Sequence, residues 1–434
     1  MSRRLRVRPL SRPLKGDYVP PGDKSISHRV AILGGLADGV TTVRGFLEAA
    51  DTRATLNAMA QLGAEVSEQE GVITIRGGQI KAPGAPLDLG NSGTGIRLMA
   101  GMLSGRREMA GADISLVGDE SLSSRPMGRI IKPLSEMGAV IASNDEKAPL
   151  TIRPRALQGI RYAMPVASAQ VKSSVLLAGL AAEGQTVVVE PGPSRDHTER
   201  LLPAFGVDIL DGNPGVGVAG GAQLQGTAVR VPGDLSSAAF ILAAALVVPG
   251  SEVVLDNVGL NPSRDGVLRI MEAMGAEIDV EAGDAVGAEP VGRLRVRSRS
   301  LQGQEIPAAW VPLAIDEFPI IMALAACADG TTVVRGAREL RVKESDRIAV
   351  MCAALQALGV DVTEVPDGAT VQGSRIRGGL VDSHGDHRIA MSAAVMGLVA
   401  DDEVLIDQAE MIATSYPGFV DDLNRLGADV SWVE

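Results

Sequence analysis

The sequence predicts a mixed α/β (α+β) fold organised as two domains, each assembled from three related units. One short phrase, which ends a helix and begins a strand, returns six times along the chain. A second phrase, Pro-Gly-Asp before a helix of small residues, occurs twice. The 434 residues also exceed what a single hydrophobic core usually holds.

The repeated phrase is an apolar residue, a glycine and a short alternating run, as in Leu62-Gly63-Ala64-Glu65-Val66. Glycine is typical of the position just past a helix C-terminus, and the alternation that follows indicates a strand. Repeats roughly 70 residues long indicate supersecondary modules that share cores. The glycines of the phrase are Gly63, Gly138, Gly206, Gly275, Gly359 and Gly427.

The phrase Pro-Gly-Asp, at 21–23 and again at 232–234, marks the expected domain boundaries. We expect the chain to leave one domain at the first phrase and to return to it at the second. This gives an N-terminal domain over 21–232 and a C-terminal domain over 1–20 plus 233–434. A single array of six units is the alternative.

Composition limits the partners. The formal net charge is −12 and no long basic stripe occurs, so nucleic acid is not expected and an anionic substrate needs local cations. Cys327 and Cys352 lie in apolar helical patterns, which is typical of reduced core thiols in a cytoplasmic protein. The first fifteen residues lack the apolar stretch of a secretory signal, and the apolar runs are too short to span a membrane.

The stretch 21–29 packs cations and hydroxyls at the start of an apolar helix. We expect Ser25 or Ser27 to cap this helix, so that backbone N–H groups face the same point as Lys24. Arg29, one turn further on, offers a fork for two anionic oxygens. The alternative is an ordinary surface helix with solvated charges.

Four more segments of the N-terminal half place polar or cationic residues at helix starts. The glycine-rich loop 91–97 enters a helix but matches neither a Walker A loop nor a dinucleotide fingerprint. Arg125 precedes Pro126, which fits the first position of a helix. The segment 168–172, like the stretch 21–29, places small polar residues at a helix start. The segment 194–200 indicates either a loop that binds an anion or a solvated helix start.

The sharpest cluster is Arg341-Val342-Lys343-Glu344-Ser345-Asp346-Arg347, for which a surface salt-bridge face is the alternative. Asp316 and Glu317 interrupt an apolar run, where an unpaired carboxylate would be costly, and acid/base work against nearby cations supplies a reason. His384 and His387 lack further ligands of matching spacing, so no metal is expected.

These motifs together resemble the 5-enolpyruvylshikimate-3-phosphate synthase family, in order and over about residues 15–430. The fold that this resemblance implies is two domains, each of three βαβαββ units, joined by a two-strand hinge near 20–23 and 231–235. The segments that carry it are PGDKSISHR (21–29), LGNSGTGIRL (89–98), RPM (125–127), SAQVKS (168–173), RDHTER (195–200), IDEFP (315–319), RVKESDR (341–347) and DHRIAM (386–391).

The resemblance implies transfer of the carboxyvinyl group of phosphoenolpyruvate to the 5-hydroxyl of shikimate 3-phosphate, with release of phosphate, on the route to aromatic amino acids. It implies a monomer without cofactor and a target of glyphosate. Asp316 is expected to act as the base, Glu344 as the proton donor, and Lys24 to neutralise phosphate. The substrate contacts that it implies are Lys24, Ser25, Arg29, Gly93, Arg125, Ser168, Ala169, Gln170, Arg195, Asp316, Lys343, Arg347 and Arg388.

Two alternatives stay open at this point. UDP-N-acetylglucosamine enolpyruvyl transferase shares the donor but uses a loop cysteine, and residues 120–133 contain none. A repeat protein that binds anions without turnover is the other.

Departures within the resemblance concern glyphosate. Thr414 stands where one branch of the family carries lysine, and Arg195-x-His197-x-Glu199 resembles the glyphosate-tolerant branch. That branch's Asn-x-Thr-Arg signature is present only in part, as 261–264, with serine in place of threonine.

Overall fold

The structure is a computed structural model that describes residues 3–285 and 287–433. Helices and strands alternate along the chain, as predicted. The α-helices are α1 (Lys24–Leu36), α2 (Ala50–Gln61), α3 (Gly93–Ser104), α4 (Glu120–Ser124), α5 (Gly128–Glu136), α6 (Ala169–Gly179), α7 (His197–Leu201), α8 (Leu235–Val247), α9 (Gly266–Ala273), α10 (Phe318–Cys327), α11 (Arg347–Ala357), α12 (His387–Gly397) and α13 (Phe419–Leu426). The strands are β1 (Arg4–Val7), β2 (Lys15–Tyr18), β3 (Gly39–Arg44), β4 (Glu65–Gln69), β5 (Val72–Gly77), β6 (Leu87–Asp88), β7 (Ile114–Val117), β8 (Val140–Asn144), β9 (Lys147–Arg153), β10 (Leu157–Gln158), β11 (Arg161–Ala163), β12 (Ala182–Glu183), β13 (Gln185–Val189), β14 (Leu210–Asp211), β15 (Val216–Ala219), β16 (Ala228–Arg230), β17 (Glu252–Gly259), β18 (Glu277–Ala282), β19 (Val291–Arg297), β20 (Thr331–Val334), β21 (Asp361–Val365), β22 (Gly368–Gln372), β23 (Gly379–Asp382), β24 (Val404–Asp407) and β25 (Val430–Val433).

The chain divides into two compact units. The first unit holds residues 22–231 together with 287–289, and the second unit holds 3–21, 232–285 and 290–433. Each unit has its own apolar core.

The first unit contains three four-stranded sheets of one design. Their strand orders are β16-β3-β5-β4, β6-β7-β9-β8 and β11-β13-β15-β14. In each sheet the first pair is parallel and the other two pairs are antiparallel. In the sheets that begin with β6 and β11, a helix follows the first strand, another helical segment follows the second, and a hairpin completes the sheet. In the remaining sheet α1 precedes β3, and β16, from the end of the unit, takes the first position. The βαβαββ unit implied by the resemblance is confirmed here.

The second unit repeats this design with two variations. The sheet β2-β17-β19-β18 is complete. In β20-β22-β21, two isolated parallel bridges, Gln302 to Asp329 and Glu305 to Val333, stand in place of the first strand. In β23-β24-β1-β25 the strand β1, from the start of the chain, is antiparallel to both neighbours. The N-terminal segment therefore supplies the last strand of the sixth repeat.

The chain passes from one unit to the other at two points. The strand before each of these points pairs with a strand that follows the helix of the other crossing. Strand β2 precedes α1 in the chain, but it pairs with β17, which follows α8. Strand β16 precedes α8, but it pairs with β3, which follows α1. At both points the chain therefore finishes a strand of one unit and enters a helix of the other.

The six repeat glycines end helical segments as the sequence predicted. Each has a positive φ, between 80° at Gly359 and 115° at Gly427. A side chain at such a backbone geometry is strained. The glycine therefore lets each helix stop and the next strand begin.

Within each repeat the first helix lies deep in the core, because its sequence is apolar or small on every side. Helix α8 illustrates this: the residues from Leu235 to Leu246 are buried without interruption. The chain has few aromatic residues, so Ala, Val, Leu, Ile and Met fill both cores. The inner helices α1, α3 and α6 of the first unit, and α8, α10 and α12 of the second, begin at the segments that the sequence singled out.

Candidate active site

The start of α1 carries Lys24. Asp23, not Ser25 or Ser27, caps this helix, accepting from the N–H of Ile26 at 2.9 Å, so the predicted cap was wrong. Asp23 directly precedes the helix, and its carboxylate accepts a hydrogen bond from one of the free N–H groups of the first turn, so no serine is needed as the cap. Ser27 is buried instead, and its hydroxyl accepts from the N–H of Leu47. Lys24 Nζ lies 2.5 Å from Asp51 Oδ2, which fixes the ammonium at the helix start.

Arg29 is buried, and its guanidinium contacts three protein oxygens. Nε donates to Thr198 Oγ1 at 2.7 Å, Nη2 to Ser173 Oγ at 2.7 Å, and Nη1 to the carbonyl of Ser25 at 2.8 Å. Burial lowers the pKa of Arg29 to about 10. The Arg29 guanidinium therefore joins α1 to α6 and α7. One N–H on Nη1 and one on Nη2 remain that could donate to a substrate.

His28 lies in the stretch 21–29 but was not among the predicted site residues, yet it connects three helices. Its Nδ1 lies 2.8 Å from Thr55 Oγ1 on α2, and its Nε2 lies 3.4 Å from Ser92 Oγ, the cap of α3. Burial, with Lys24 and Arg29 nearby, holds the pKa of His28 well below its usual value. His28 is therefore neutral and helps to seat the start of α3.

At the start of α3, the backbone at Gly93 lies close to the guanidinium groups of Arg97 and Arg125. Ser92 accepts from the N–H of Gly95 at 2.9 Å, as expected of a capped helix. A Cβ added to Gly93 would lie 3.0 Å from Nη1 of both Arg97 and Arg125. Arg97 also donates to Gln170 Oε1 at 2.7 Å. The loop thus brings Gly93, Arg125 and Gln170 together.

Arg125 reaches this surface from an unexpected backbone position. It is the C-terminal cap of α4, and the next helix begins at Gly128 with Met127 as its N-cap. The prediction that Pro126 opens a helix was therefore wrong. Arg125 Nη2 donates to Asn91 Oδ1 at 2.6 Å, which aims the guanidinium at the loop before α3.

The start of α6 holds Ser168, Ala169 and Gln170. Ser168 caps the helix, accepting from Val171, and Ala169 is the first helical residue. Gln170 Nε2 donates to Thr94 Oγ1 at 2.9 Å.

Lys172, one turn into α6, is buried. It lies in the predicted segment 168–172 but was not among the predicted site residues. Its Nζ lies 2.7 Å from Glu190 and 2.6 Å from Glu199. These two carboxylates come from either side of the loop that carries Arg195. The ion pairs therefore anchor that loop, and its helix start is buried at His197 rather than solvated.

In the second unit, Arg347 is the centre of a charged group that we call the Arg347 cluster. Its members are Asp316, Lys343, Glu344, Arg347 and Asp386. Arg347 Nη1 lies 3.4 Å from Asp316 Oδ1, Nη2 lies 2.5 Å from Glu344 Oε2, and Nε donates to Asp386 Oδ2 at 2.8 Å. Lys343 Nζ lies 3.1 Å from the same oxygen of Asp316.

Burial and charge act against each other in this cluster. Burial tends to lower the pKa of Arg347, but Asp386, Glu344 and Asp316 outweigh it and raise the pKa. Burial likewise tends to raise the pKa of Asp386, but Arg347 and His387 hold it below its usual value. The side chains of Asp316 and Glu344 keep 15% and 22% of their surface exposed, so both carboxylates can meet a ligand.

Arg388, at the start of α12, lies beside the same segment. Its Nη1 donates to the backbone carbonyl of Asp316 at 2.9 Å and lies 3.7 Å from Glu317 Oε1. Asp386 caps α12 by accepting from the N–H of Arg388. The second unit thus brings together all five of its predicted site residues.

No group of three metal-ligating side chains occurs within residues 3–285 and 287–433. In the same part of the chain, no helix is both long and apolar enough to cross a membrane.

Comparisons with known proteins agree with this geometry. The EPSP synthase (3-phosphoshikimate 1-carboxyvinyltransferase) family profile matches residues 10–423. The 3-phosphoshikimate 1-carboxyvinyltransferase of Acidithiobacillus ferrooxidans is 54% identical over 420 residues, 96% of either chain. The enzyme of Methylococcus capsulatus is 51% identical over 424 residues. The solved EPSP synthase of Acinetobacter baumannii superposes with a TM-score of 0.88 and 45% identity, covering both chains completely.

Six βαβαββ repeats in two units, with cations gathered where the inner helices begin, define an enolpyruvyl transferase. Within that class, the chain belongs to the EPSP synthase family, the 3-phosphoshikimate 1-carboxyvinyltransferases of the shikimate pathway.

Proposed function

We propose that the cationic helix starts bind shikimate 3-phosphate and phosphoenolpyruvate, and that the Arg347 cluster performs the proton transfers of carboxyvinyl transfer. The observation that carries this proposal is that one buried arginine holds two partly exposed carboxylates, Asp316 and Glu344. Two carboxylates fixed at one cation suit a reaction that needs a base and an acid.

The charges suit the two substrates. Shikimate 3-phosphate and phosphoenolpyruvate each carry a phosphate and a carboxylate, whereas the chain as a whole is acidic. Cations at helix starts concentrate positive charge where backbone N–H groups also point. We assign the acceptor to Lys24, Ser25, Arg29, Ser168, Ala169, Gln170, Arg195, Asp316 and Lys343. We assign the donor to Lys24, Gly93, Arg125, Gln170, Arg347 and Arg388.

In the addition step, Asp316 removes the proton of the 5-hydroxyl while Glu344 protonates the methylene carbon of the donor. The 5-oxygen bonds to the donor's second carbon, which passes through an oxocarbenium-like state to a tetrahedral ketal. Lys343 Nζ lies 3.1 Å from Asp316 Oδ1 and helps to hold this carboxylate in position. Acid/base positioning of this kind contributes roughly 10²–10⁴-fold.

In the elimination step, Glu344 acts as the base and Asp316 as the acid. Glu344 takes a proton from the new methyl group, the carbon–oxygen bond to phosphate breaks, and the vinyl double bond returns. Lys24, held by Asp51, neutralises the departing phosphate. Asp316 gives the proton that it took from the 5-hydroxyl to the departing phosphate oxygen. Both carboxyl groups thereby regain their starting protonation states, and no redox change occurs.

The two thiols argue against the alternative acceptor, a UDP-sugar handled with a loop cysteine. Cys327 and Cys352 lie within α10 and α11, and burial raises the pKa of each to about 12. Such thiols stay protonated and unreactive. They also fit our proposal that the protein works in the cytoplasm. We further propose that it is a monomer, which size-exclusion chromatography with light scattering would test.

The test of the proposed function is phosphate release with each substrate alone and with both. We expect release only when phosphoenolpyruvate and shikimate 3-phosphate are present together. Release with UDP-N-acetylglucosamine, but not with shikimate 3-phosphate, would replace the proposed acceptor. No release with either would leave an anion-binding protein.

A further inference from the structure

The segment Asn261-Pro262-Ser263-Arg264 forms a turn that delivers one arginine into the second unit. Asn261 Oδ1 accepts from the N–H of Ser263 at 2.8 Å and from its hydroxyl at 2.7 Å. The N–H of Arg264 donates to the carbonyl of Asn261 at 2.9 Å. An asparagine and a hydroxyl two residues later therefore lock the turn, and serine serves as well as threonine.

Arg264 is only 5% exposed and meets carboxylates from two helix starts. Its Nη2 lies 3.0 Å from Asp234 Oδ1, at the cap of α8, and 3.9 Å from Glu317 Oε1, directly before α10. The same nitrogen donates to Ser236 Oγ, and that hydroxyl donates to Glu317 Oε1. The three side chains Asp234, Ser236 and Glu317 are all buried.

Glu317 is therefore shared by two arginines. Arg264 approaches Oε1 from the α8 side, and Arg388 Nη1 lies 3.7 Å from the same atom. Arg388 Nη1 also donates to the carbonyl of Asp316 at 2.9 Å. Because a buried carboxylate without a cation is costly, Glu317 would draw Arg388 to itself if Arg264 were lost.

We propose that Arg264 is a positioning residue for the enolpyruvyl donor. By neutralising Asp234 and Glu317, it leaves the Arg388 guanidinium anchored on the Asp316 carbonyl and directed at an anionic oxygen of phosphoenolpyruvate. The inference rests on the donor contact proposed above for Arg388. We expect the effect on the donor, because Arg388 is the substrate-binding side chain that shares Glu317 with Arg264. Asp316 takes part in these contacts only through its backbone carbonyl.

The test compares Arg264→Gln with the wild type, whose turnover is measured first. We expect the KM for phosphoenolpyruvate to rise about tenfold, as expected when one partner of a buried charge pair is removed, and the KM for shikimate 3-phosphate to change by less than about twofold. Adding Glu317→Gln to Arg264→Gln should recover most of the donor KM, because the carboxylate that captures Arg388 is then gone. Arg269→Gln, which breaks an exposed pair with Asp265, is the matched control.

Arg264→Lys keeps the charge and protects the test if the glutamine variant does not fold. Arg264→Lys should have a donor KM nearer to that of the wild type than Arg264→Gln has. If Arg264→Gln is unstable, the donor KM of Arg264→Lys should lie within about threefold of the wild-type value. The inference would be overturned if the KM values for donor and acceptor rose equally in Arg264→Gln and Glu317→Gln gave no recovery. A tenfold rise in the donor KM of a folded Arg264→Lys would also overturn it. Wild-type protein without turnover would instead refute the proposed function.

Discussion

Asp316 and Glu344 are bound to the same buried guanidinium: Arg347 Nη1 lies 3.4 Å from the Asp316 carboxylate and Nη2 lies 2.5 Å from that of Glu344. Residues 28 positions apart in the chain are thereby fixed at one point, by a cation with 2% of its surface exposed. Arg347 sets the distance between the proposed base and the proposed acid.

Asp316→Asn and Glu344→Gln should each bind shikimate 3-phosphate but lose turnover by roughly 10²–10⁴-fold, because proton transfer is removed while shape is kept. Calorimetric titration and steady-state kinetics measure the two effects separately. Glu364→Gln, which alters an exposed ion pair with Arg341, is a matched control that should keep normal turnover. A near-normal kcat in either site variant would assign that role elsewhere.

Gly93→Ala should discriminate between inhibitor and donor. The added methyl would lie 3.0 Å from nitrogens of Arg97 and Arg125, tighter than ordinary contact. Overpacking costs roughly 1–3 kcal/mol, and glyphosate, being longer than phosphoenolpyruvate, should meet the methyl first. We expect the glyphosate inhibition constant to rise at least about tenfold, with a smaller rise in the donor KM.

The control for Gly93→Ala is Gly84→Ala, since a Cβ there meets nothing within 4 Å. It should leave both constants unchanged. Equal losses for glyphosate and phosphoenolpyruvate in Gly93→Ala would show that Gly93 is not the discriminating contact.

His28 should make stability depend on pH. Burial first, then the charges of Lys24 and Arg29, hold its pKa well below 6.5, with Asp23 opposing. Below about pH 6.5 the unfolded chain gains a proton that the folded chain refuses, so stability falls as pH falls, by up to about 1.4 kcal/mol per pH unit.

Denaturant unfolding between pH 7.5 and 5.5 measures this contribution. His28→Gln should show a shallower loss of stability with acid than the wild type, whereas His384→Gln, at an exposed position, should keep the wild-type slope. Identical slopes for His28→Gln and the wild type would contradict a neutral His28.

The repeat glycines should have similar energetic roles in both units. In Gly138 and Gly275, φ is 97° and 95°, and a Cβ would meet nothing closer than 3.8 Å, so only backbone strain opposes alanine. Gly138→Ala and Gly275→Ala should each cost roughly 1–2 kcal/mol of unfolding free energy. Thermal and denaturant unfolding measure this, and variants as stable as Gly84→Ala would refute the shared strain.

The sequence was informative wherever a local pattern determines the structure. The helix-ending glycine at Gly63 and its five counterparts predicted the repeats, because a left-handed residue after a helix leaves a local signature. The grouping of Asp316 with Lys343 and Arg347 was predictable because the charged run 341–347 leads into a helix and Asp316 interrupts an apolar run, where a carboxylate needs cationic partners.

What could not be predicted depends on long-range partners or on near-equal local choices. Asp23, Ser25 and Ser27 are comparable as caps, and only the folded backbone selects among them. Lys172 reads as an ordinary helical lysine until Glu190 and Glu199 are brought to it. Arg264 stood in a partly matched signature, and its role depends on Glu317, which no spacing in the sequence relates to it.

Carbon NMR of the reaction in D2O, with phosphoenolpyruvate labelled at its methylene carbon and shikimate 3-phosphate as acceptor, tests the central claim most directly. The label should appear in a vinyl ether on the 5-oxygen of the acceptor, and part of it should carry deuterium, because the ketal passes through a methyl group. Label found on a UDP-sugar, or only in pyruvate, would contradict carboxyvinyl transfer to shikimate 3-phosphate. A vinyl ether without any deuterium would contradict proton delivery to the methylene carbon.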